Sequence, residues 1–293
     1  MKHFTDISDF NRNQLDALIK KAKLLKKNPK KFSNKCHHKT LGMIFQKEST
    51  RTRVSFNVGF SKMGGNCIEL NASSIGFGKR ESHEDILRTL SQYIDILMIR
   101  NDDHNAIKKL SALKLIPIIN GLSDYSHPCQ ILSDLLTIIE KLGNIKKHKI
   151  CWVGDYNNVL RSLIELQYIY NFKLNIVLPK EIVRKSKKKI IKNNNLNITS
   201  IIQDGVKRAN CVMTDAWISM GESSSKKRYF KNYQVNSEVM KSASRDAIFM
   251  HCLPAHRNEE VSSELLDSKQ SVVWDQAQNR MFVQQAIILD LLS

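Results

Sequence analysis

No stretch of the sequence approaches 18 consecutive apolar residues, and "MKHFTDISDFNRNQLDALIK" at its start holds no uninterrupted apolar segment. Neither a membrane-spanning helix nor a secretory leader is expected. The six cysteines, at 36, 67, 129, 151, 211 and 252, contain no CxxC pair. That spacing suggests neither a zinc site nor a disulfide framework, and fits a reducing compartment. Acidic residues are the scarcer charge, 28 Asp and Glu against 46 Lys and Arg for a net +18, which favours anionic partners. The densest basic runs, "KKAKLLKKNPKK" (Lys20 to Lys31) and "RKSKKKIIKNNN" (Arg184 to Asn195), lack the interleaved aromatics of a base-stacking surface. They read as solvated helix faces, so no nucleic-acid partner is expected. A GxxxxGKS/T phosphate loop and a GxGxxG after a strand are both missing, as are long repeats and low-complexity linkers. The expected protein is soluble and cytoplasmic.

What the sequence does contain is alternation. Its 293 residues, 42% hydrophobic and 25% charged, suffice for one large domain or two of ordinary size. An amphipathic helix is predicted from Asp9, with Leu15, Leu18, Ile19 and Ala22 on one face and Asp6, Ser8 or Asp9 as its cap. Strands are then predicted at "TLGMIF", "NCIEL", "DILMIR" and "LIPIIN". Helices between and after them are "RVSFNVGFSKMGG", "SHEDILRTLSQY", "HNAIKKLSAL" and "HPCQILSDLLTIIEKLG". A second series begins at "HKICWVGD", with strands at "KLNIVLP", "NITSII", "ANCVMTDA", "DAIFMHCLP" and "QSVVWDQ". Its helices are "NVLRSLIELQYIYN", "KEIVRKSKKKIIKNN" and the closing "NRMFVQQAIILDLLS". This order predicts an α/β fold of two domains, 1–142 and 143–293, each a mostly parallel sheet with helices on both faces.

Polar clusters fall where such sheets bind ligands, beyond the carboxyl ends of strands. "STRTR" (Ser49 to Arg53) follows the first strand and opens a helix. Its amides, the hydroxyls of Ser49, Thr50 and Thr52 and the forked donors of Arg51 and Arg53 suit a phosphate. From that segment alone, a capped helix start with exposed arginines is an equal reading. Arg100 at the end of "DILMIR", His127 and Gln130 in "HPCQ", and Cys252 in "HCLPAHR" occupy comparable strand ends.

Together, "STRTR", "HPCQ" and "HCLPAHR" resemble, in type, order and spacing, the signatures of the aspartate and ornithine carbamoyltransferase family. "DAWISMG" (Asp215 to Gly221) resembles the ornithine-binding loop of its ornithine branch. The resemblance implies attack of the neutral δ-amine of L-ornithine on carbamoyl phosphate, giving citrulline and phosphate, without metal or organic cofactor and in arginine biosynthesis. It implies that Ser49, Thr50, Arg51, Thr52 and Arg280 hold the phosphate. Arg100 and His127 meet the carbonyl oxygen, and Gln130 accepts from the carbamoyl NH₂. Asn158, Asp215, Ser219 and Met220 bind the amino acid, and Cys252 and the Leu253 carbonyl lie by the δ-amine. The resemblance further implies a homotrimer or a multiple of it, an active site in the cleft between domains that closes on ornithine, and a C-terminal helix returning to the first domain. The chain departs from the family at Gln46, at Glu48 and in "NASSIGFGKRES", where Ser74 stands nearest a glutamine expected to reach a neighbouring subunit and Lys79 or Arg80 would substitute. Other acceptors (N-acetylornithine, putrescine, aspartate) and a non-catalytic homologue are the alternatives; the ornithine loop and the full set Arg51, Arg100, His127, Cys252 and Arg280 argue against them.

Overall fold

The computed structural model describes residues 1–47, 49–73, 75, 80–186, 190, 191, 193–218 and 224–293. The chain divides into two units, Met1–Leu136 with Gln278–Ser293, and Thr137–Ala277. Among the described residues each unit is built on one parallel sheet with helices around it.

In the first unit, α1 (Arg12–Lys27) is capped by Asn11 and Gln14, which exchange side-chain and backbone hydrogen bonds as a capping box. The cap is therefore Asn11, two residues beyond the last of the positions predicted for it. Leu15, Leu18, Ile19, Ala22 and Leu25 form its buried face. The sheet comprises β1 (Thr40–Phe45), β2 (Asn66–Asn71), β3 (Ile96–Arg100) and β4 (Ile118–Leu122), in the order β2-β1-β3-β4. Between these strands run α2 (Thr50–Ser61), α3 (His83–Leu90) and α4 (His104–Ala112), and α5 (Pro128–Leu142) follows β4. Each starts where the sequence offers a start signal: Ser49, Ser82 and Asp103 accept backbone N–H bonds as caps, and Pro128 fills the first turn of α5. Ile44, Leu97, Ile99, Ile107 and Ile118 pack the core between sheet and helices.

The second unit holds β5 (Lys149–Val153), β6 (Lys173–Val177), β7 (Leu196–Thr199), β8 (Cys211–Thr214) and β9 (Ile248–His251), ordered β7-β6-β5-β8-β9. Its helices are α6 (Asn158–Tyr170), α7 (Lys180–Ser186), α8 (Ile202–Val206), α9 (Ser237–Lys241) and α10 (Ser263–Leu266); α11 (Val273–Leu291) closes the chain. Two predicted strands are corrected. "NITSII" pairs only to Thr199, and Ile202 opens α8, which lies so close to the sheet that a Cβ at Gly205 would overlap the Val177 side chain. "QSVVWDQ" contributes one bridge, Ser271 to Phe249, before Val273 begins α11 six residues ahead of the expected helix start. Strand propensity yields there to packing: Val273 is fully buried while Trp274 is 63% exposed, and Gln276 accepts from the His251 amide, the bond a further strand would have made. Of the long helix predicted from Lys180, Lys180–Ser186 is helical as α7; residues 187–189 and 192 lie outside the described residues.

Candidate active site

Both sheets reverse their strand order once. β1 leads outward to β2 and the chain then returns to β3, on the other side of β1; likewise β5 leads to β6 and β7 before the chain returns to β8. Crossover helices therefore part above the β1/β3 and β5/β8 ends, which leaves strand termini and helix N-termini uncovered there. Thr52 and Arg100 lie at the first of these places and Asn157 and Asp215 at the second.

In the first unit β1 and β3 end in register, Phe45 beside Arg100. Gln46 ties them: its amide donates to the Arg100 carbonyl (2.9 Å) and its Oε1 accepts from the Asp102 amide (2.9 Å). A glutamate would offer the same acceptor, so the family departure at Gln46 leaves this link unchanged. Thr52, fully buried in the first turn of α2, accepts from Arg280 Nη2 (3.0 Å) and more weakly from Arg100 Nη1 (3.4 Å). Burial, then the charges of Arg280 and Arg51, push Arg100 down to about 10 against the opposing pull of Asp102. His127, directly before α5, is also buried, and burial with Arg280, Arg100 and Arg51 holds its pKa well below the ordinary range. Three guanidiniums are thus gathered against their own repulsion around an uncharged imidazole, at a helix N-terminus that adds positive potential. The arrangement suits an anion.

Ser49 is committed to its cap, accepting from the Thr52 amide at 3.3 Å, and Thr50 opens α2 beside it. Gln130 donates from Nε2 to Asp134 Oδ1 (2.8 Å), which assigns its amide orientation; its buried Oε1 has no hydrogen-bond partner among the described residues. Arg53 does not join this group. It pairs with Glu69 at 2.9 Å and lies over the Phe45 ring, so only Arg51 of the two STRTR arginines acts on the cluster. Arg280 is 4% exposed in the second turn of α11, so it is a buried charge and not a solvated one.

In the second unit, Gly154 at φ +145 turns the chain out of β5 in a conformation that favours glycine. Asp155 and Asn157 follow, then Asn158 as the first residue of α6. Asp215 follows β8 and Cys252 follows β9. Asp215 receives Asn157 Nδ2 on Oδ2 (2.7 Å) and the Cys252 thiol on Oδ1 (2.8 Å). Among the described residues no cation pairs with it, whereas Asp155 is bridged by Lys226 at 2.6 Å. His251 holds the Cys252–Leu253 turn: its Nδ1 accepts from the Leu253 amide (2.9 Å) and its Nε2 donates to buried Glu260 (3.0 Å). Burial raises the Glu260 pKa, but the bonds from His251 and the His256 amide outweigh it and hold the group low. Both His251 nitrogens are occupied, so Asp215, His251 and Cys252, although close together, do not form a ready metal site. A groove of about 960 Å³ elsewhere on this unit, lined in part by Trp217, Lys227, Lys231 and Asn258, includes neither Asp215 nor Cys252.

Ser219 and Met220 lie outside the described residues, as do Glu48, Ser74 and Lys79. Sequence reasoning named Asn158 and passed over Asn157, although a cap at that position was signalled by the polar turn before the helix; Gln46 was noted only as a departure and His251 only as part of "HCLPAHR", and Glu260 carried no signal of its own.

The sequence model of the carbamoyl-P binding domain of the aspartate/ornithine carbamoyltransferases matches residues 2–140, and that of the Asp/Orn binding domain matches residues 146–291. An ornithine carbamoyltransferase of Rhodopseudomonas palustris is 42% identical over 295 residues, 98% of this chain and 95% of that one. One of Ruthia magnifica is 41% identical over the whole of both chains. The crystal structure of ornithine carbamoyltransferase from Burkholderia thailandensis superposes with a TM-score of 0.92 at 35% identity, covering 100% of this chain and 99% of that one.

Two outcomes follow from the charge cluster. Inorganic phosphate at about 100 times its dissociation constant adds roughly 2.7 kcal/mol of stability, read as a rise in Tm. Arg280→Met is expected to lose most of that rise while its ligand-free Tm changes little, because relief of repulsion offsets the lost bond to Thr52. For His127 the folded pKa lies below the unfolded one, so the unfolded chain takes up a proton near pH 6.5 that the folded chain refuses. Its contribution to stability is full above about pH 6.5 and declines below it. Urea midpoints between pH 5 and 8 are expected to show a shallower acid decline in His127→Gln than in the wild type.

Proposed function

This chain belongs to the aspartate/ornithine carbamoyltransferase family, and from that premise we propose how its own residues carry the reaction. Its activity is transfer of the carbamoyl group from carbamoyl phosphate to the δ-amine of L-ornithine, giving L-citrulline and phosphate. The observation that carries the residue assignment is the gathering of Arg51, Arg100 and Arg280 around Thr52 and an uncharged His127. Ser49, Thr50, Arg51, Thr52 and Arg280, with the first amides of α2, hold the phosphate. Arg100 and His127 donate to the carbonyl oxygen. As the amine lone pair forms the C–N bond, negative charge grows on that oxygen, and donors already in place stabilise it without reorganisation. The bond from carbon to the bridging oxygen then breaks, and the proton shed by the amine leaves on phosphate. Gln130 Oε1 accepts from the carbamoyl NH₂, fixing which face is attacked.

On the acceptor side Asp215 takes the α-ammonium, and Asn158, with Ser219 and Met220, takes the α-carboxylate. Cys252 and the Leu253 carbonyl orient the δ-amine. The thiol donates its proton to Asp215, which supports an orienting role; a covalent step is unnecessary when the acyl group arrives already activated. Because carbamoyl phosphate is a mixed anhydride, the equilibrium of the transfer favours citrulline, which accords with a biosynthetic role. That none of the six cysteines forms a disulfide supports a reducing, cytoplasmic setting. Among the described residues no helix is long and apolar enough to cross a membrane.

A homotrimer is supported by exposed apolar side chains on the outer edge of the first sheet. Val54 and Val58 on α2 are 51% and 38% exposed, and Ile68 on the edge strand β2 is 47% exposed.

With carbamoyl phosphate and ornithine, putrescine or N-acetylornithine compared side by side, only ornithine is expected to give substantial carbamoylated product. No product from any of them, or preference for another amine, would sink the assignment. Asp215→Ala is expected to raise the ornithine KM by about 10-fold or more, the size of a charged hydrogen bond, and to leave phosphate stabilisation intact. Sedimentation is expected to find a trimer that Val58→Lys dissociates with loss of activity; a fully active wild-type monomer would refute the assembly.

A further inference from the structure

We infer that Asn157 is a positioning residue for the acceptor substrate, acting through the carboxylate of Asp215. The inference rests on the reading of Asp215 as the partner of the α-ammonium. Asn157 is 6% exposed and sits between the end of β5 and the start of α6, at the point where the strand order of its sheet reverses. Its Oδ1 accepts from the Leu160 amide (3.0 Å) as the cap of α6, and its Nδ2 donates to Asp215 Oδ2 (2.7 Å). The two bonds depend on each other. Because only the oxygen end of the amide can accept from Leu160, the nitrogen end must face the carboxylate. The helix cap thereby sets the direction of the donor.

Asp215 is consequently held at two corners, by an amide on one oxygen and by the Cys252 thiol on the other. Both donors are uncharged. They fix the plane of the carboxylate without cancelling its charge, as a lysine or arginine in the place of Asn157 would. A carboxylate has about four lone-pair directions, and among the described residues two are used, which leaves about two for a substrate ammonium in a set orientation. Asp155, two residues before Asn157, shows the contrast: it is paired with Lys226, and its charge is spent within the protein.

A purely structural cap and a positioning residue part company in two substitutions. Serine and aspartate both cap helices about as well as asparagine. Serine is too short to reach Asp215 from the cap, and aspartate sets a second negative charge against it. Under the inference, Asn157→Ser raises the ornithine KM by about 10-fold, the loss of one hydrogen bond to a charged group. Its Tm and its stabilisation by inorganic phosphate stay at wild-type values. Asn157→Asp makes the two carboxylates share protons, so the acid limb of the kcat/KM profile for ornithine moves to higher pH by about one unit or more. Asp215→Asn is the control. If it keeps the wild-type ornithine KM, the reading of Asp215 itself fails. If Asp215→Asn is impaired while both Asn157 variants retain the wild-type KM and pH profile, the reading of Asp215 stands and the positioning role of Asn157 is overturned. Should Asn157→Ser fail to fold, the pH profile of Asn157→Asp decides alone.

Discussion

In a parallel sheet every return runs through a crossover, and where two crossovers leave in opposite directions nothing is laid across the strand ends between them. That gap is forced by chain path and handedness, before any side chain is chosen. In both units it sits beside the first strand of the sheet, at β1/β3 and at β5/β8. Several polar groups of each unit come from the residues that leave those strands. Gln46 and the α2 cap follow β1, and Arg100 ends β3. Asn157 follows β5 and Asp215 follows β8. The buried strands and the cores against them keep these ends in register, so side chains far apart in sequence meet at hydrogen-bond distance.

The two gaps are charged by opposite strategies. The first collects guanidiniums whose mutual repulsion and burial depress Arg100 and keep His127 uncharged. Such a cluster raises the energy of the empty site, and under the proposed assignment a phosphate dianion would relieve it, so that part of the binding affinity would be stored in the fold before substrate arrives. The second holds one carboxylate with neutral donors and leaves its charge intact. Under the proposed assignment, the phosphate of the donor and the α-ammonium of the acceptor would each meet a field of opposite sign.

Much of the fold was legible. Short apolar runs marked β1, β3, β5 and β9, the caps Ser49 and Ser82 marked the starts of α2 and α3, and Pro128 marked the first turn of α5. The failures share a cause. Val272, Val273 and the residues around Ile201 favour strands locally, but the buried faces they form turn with helical period once packed. Because α11 begins at Val273, Arg280 lies in its second turn and is buried, and no local pattern foretold that. The site was legible where a residue type carries its own chemistry, as in Arg51, His127 or Cys252. It was not where a common residue acquires its role from a distant partner. Asn157 matters because of Asp215, Gln46 because of Arg100, and Glu260 because of His251. Each pairing exists only after the strands align.

Thr52 carries one further consequence. Its hydroxyl oxygen accepts from Arg280 and from Arg100, so both lone pairs face cations of the protein. A hydroxyl has two lone pairs and one hydrogen, and only the hydrogen remains to be given. Most threonines can turn to suit donor or acceptor; this one is locked into a single polarity. Under the proposed assignment it would act as a one-way valve, able to donate to a bare phosphate oxygen and offering nothing to an N–H or O–H group.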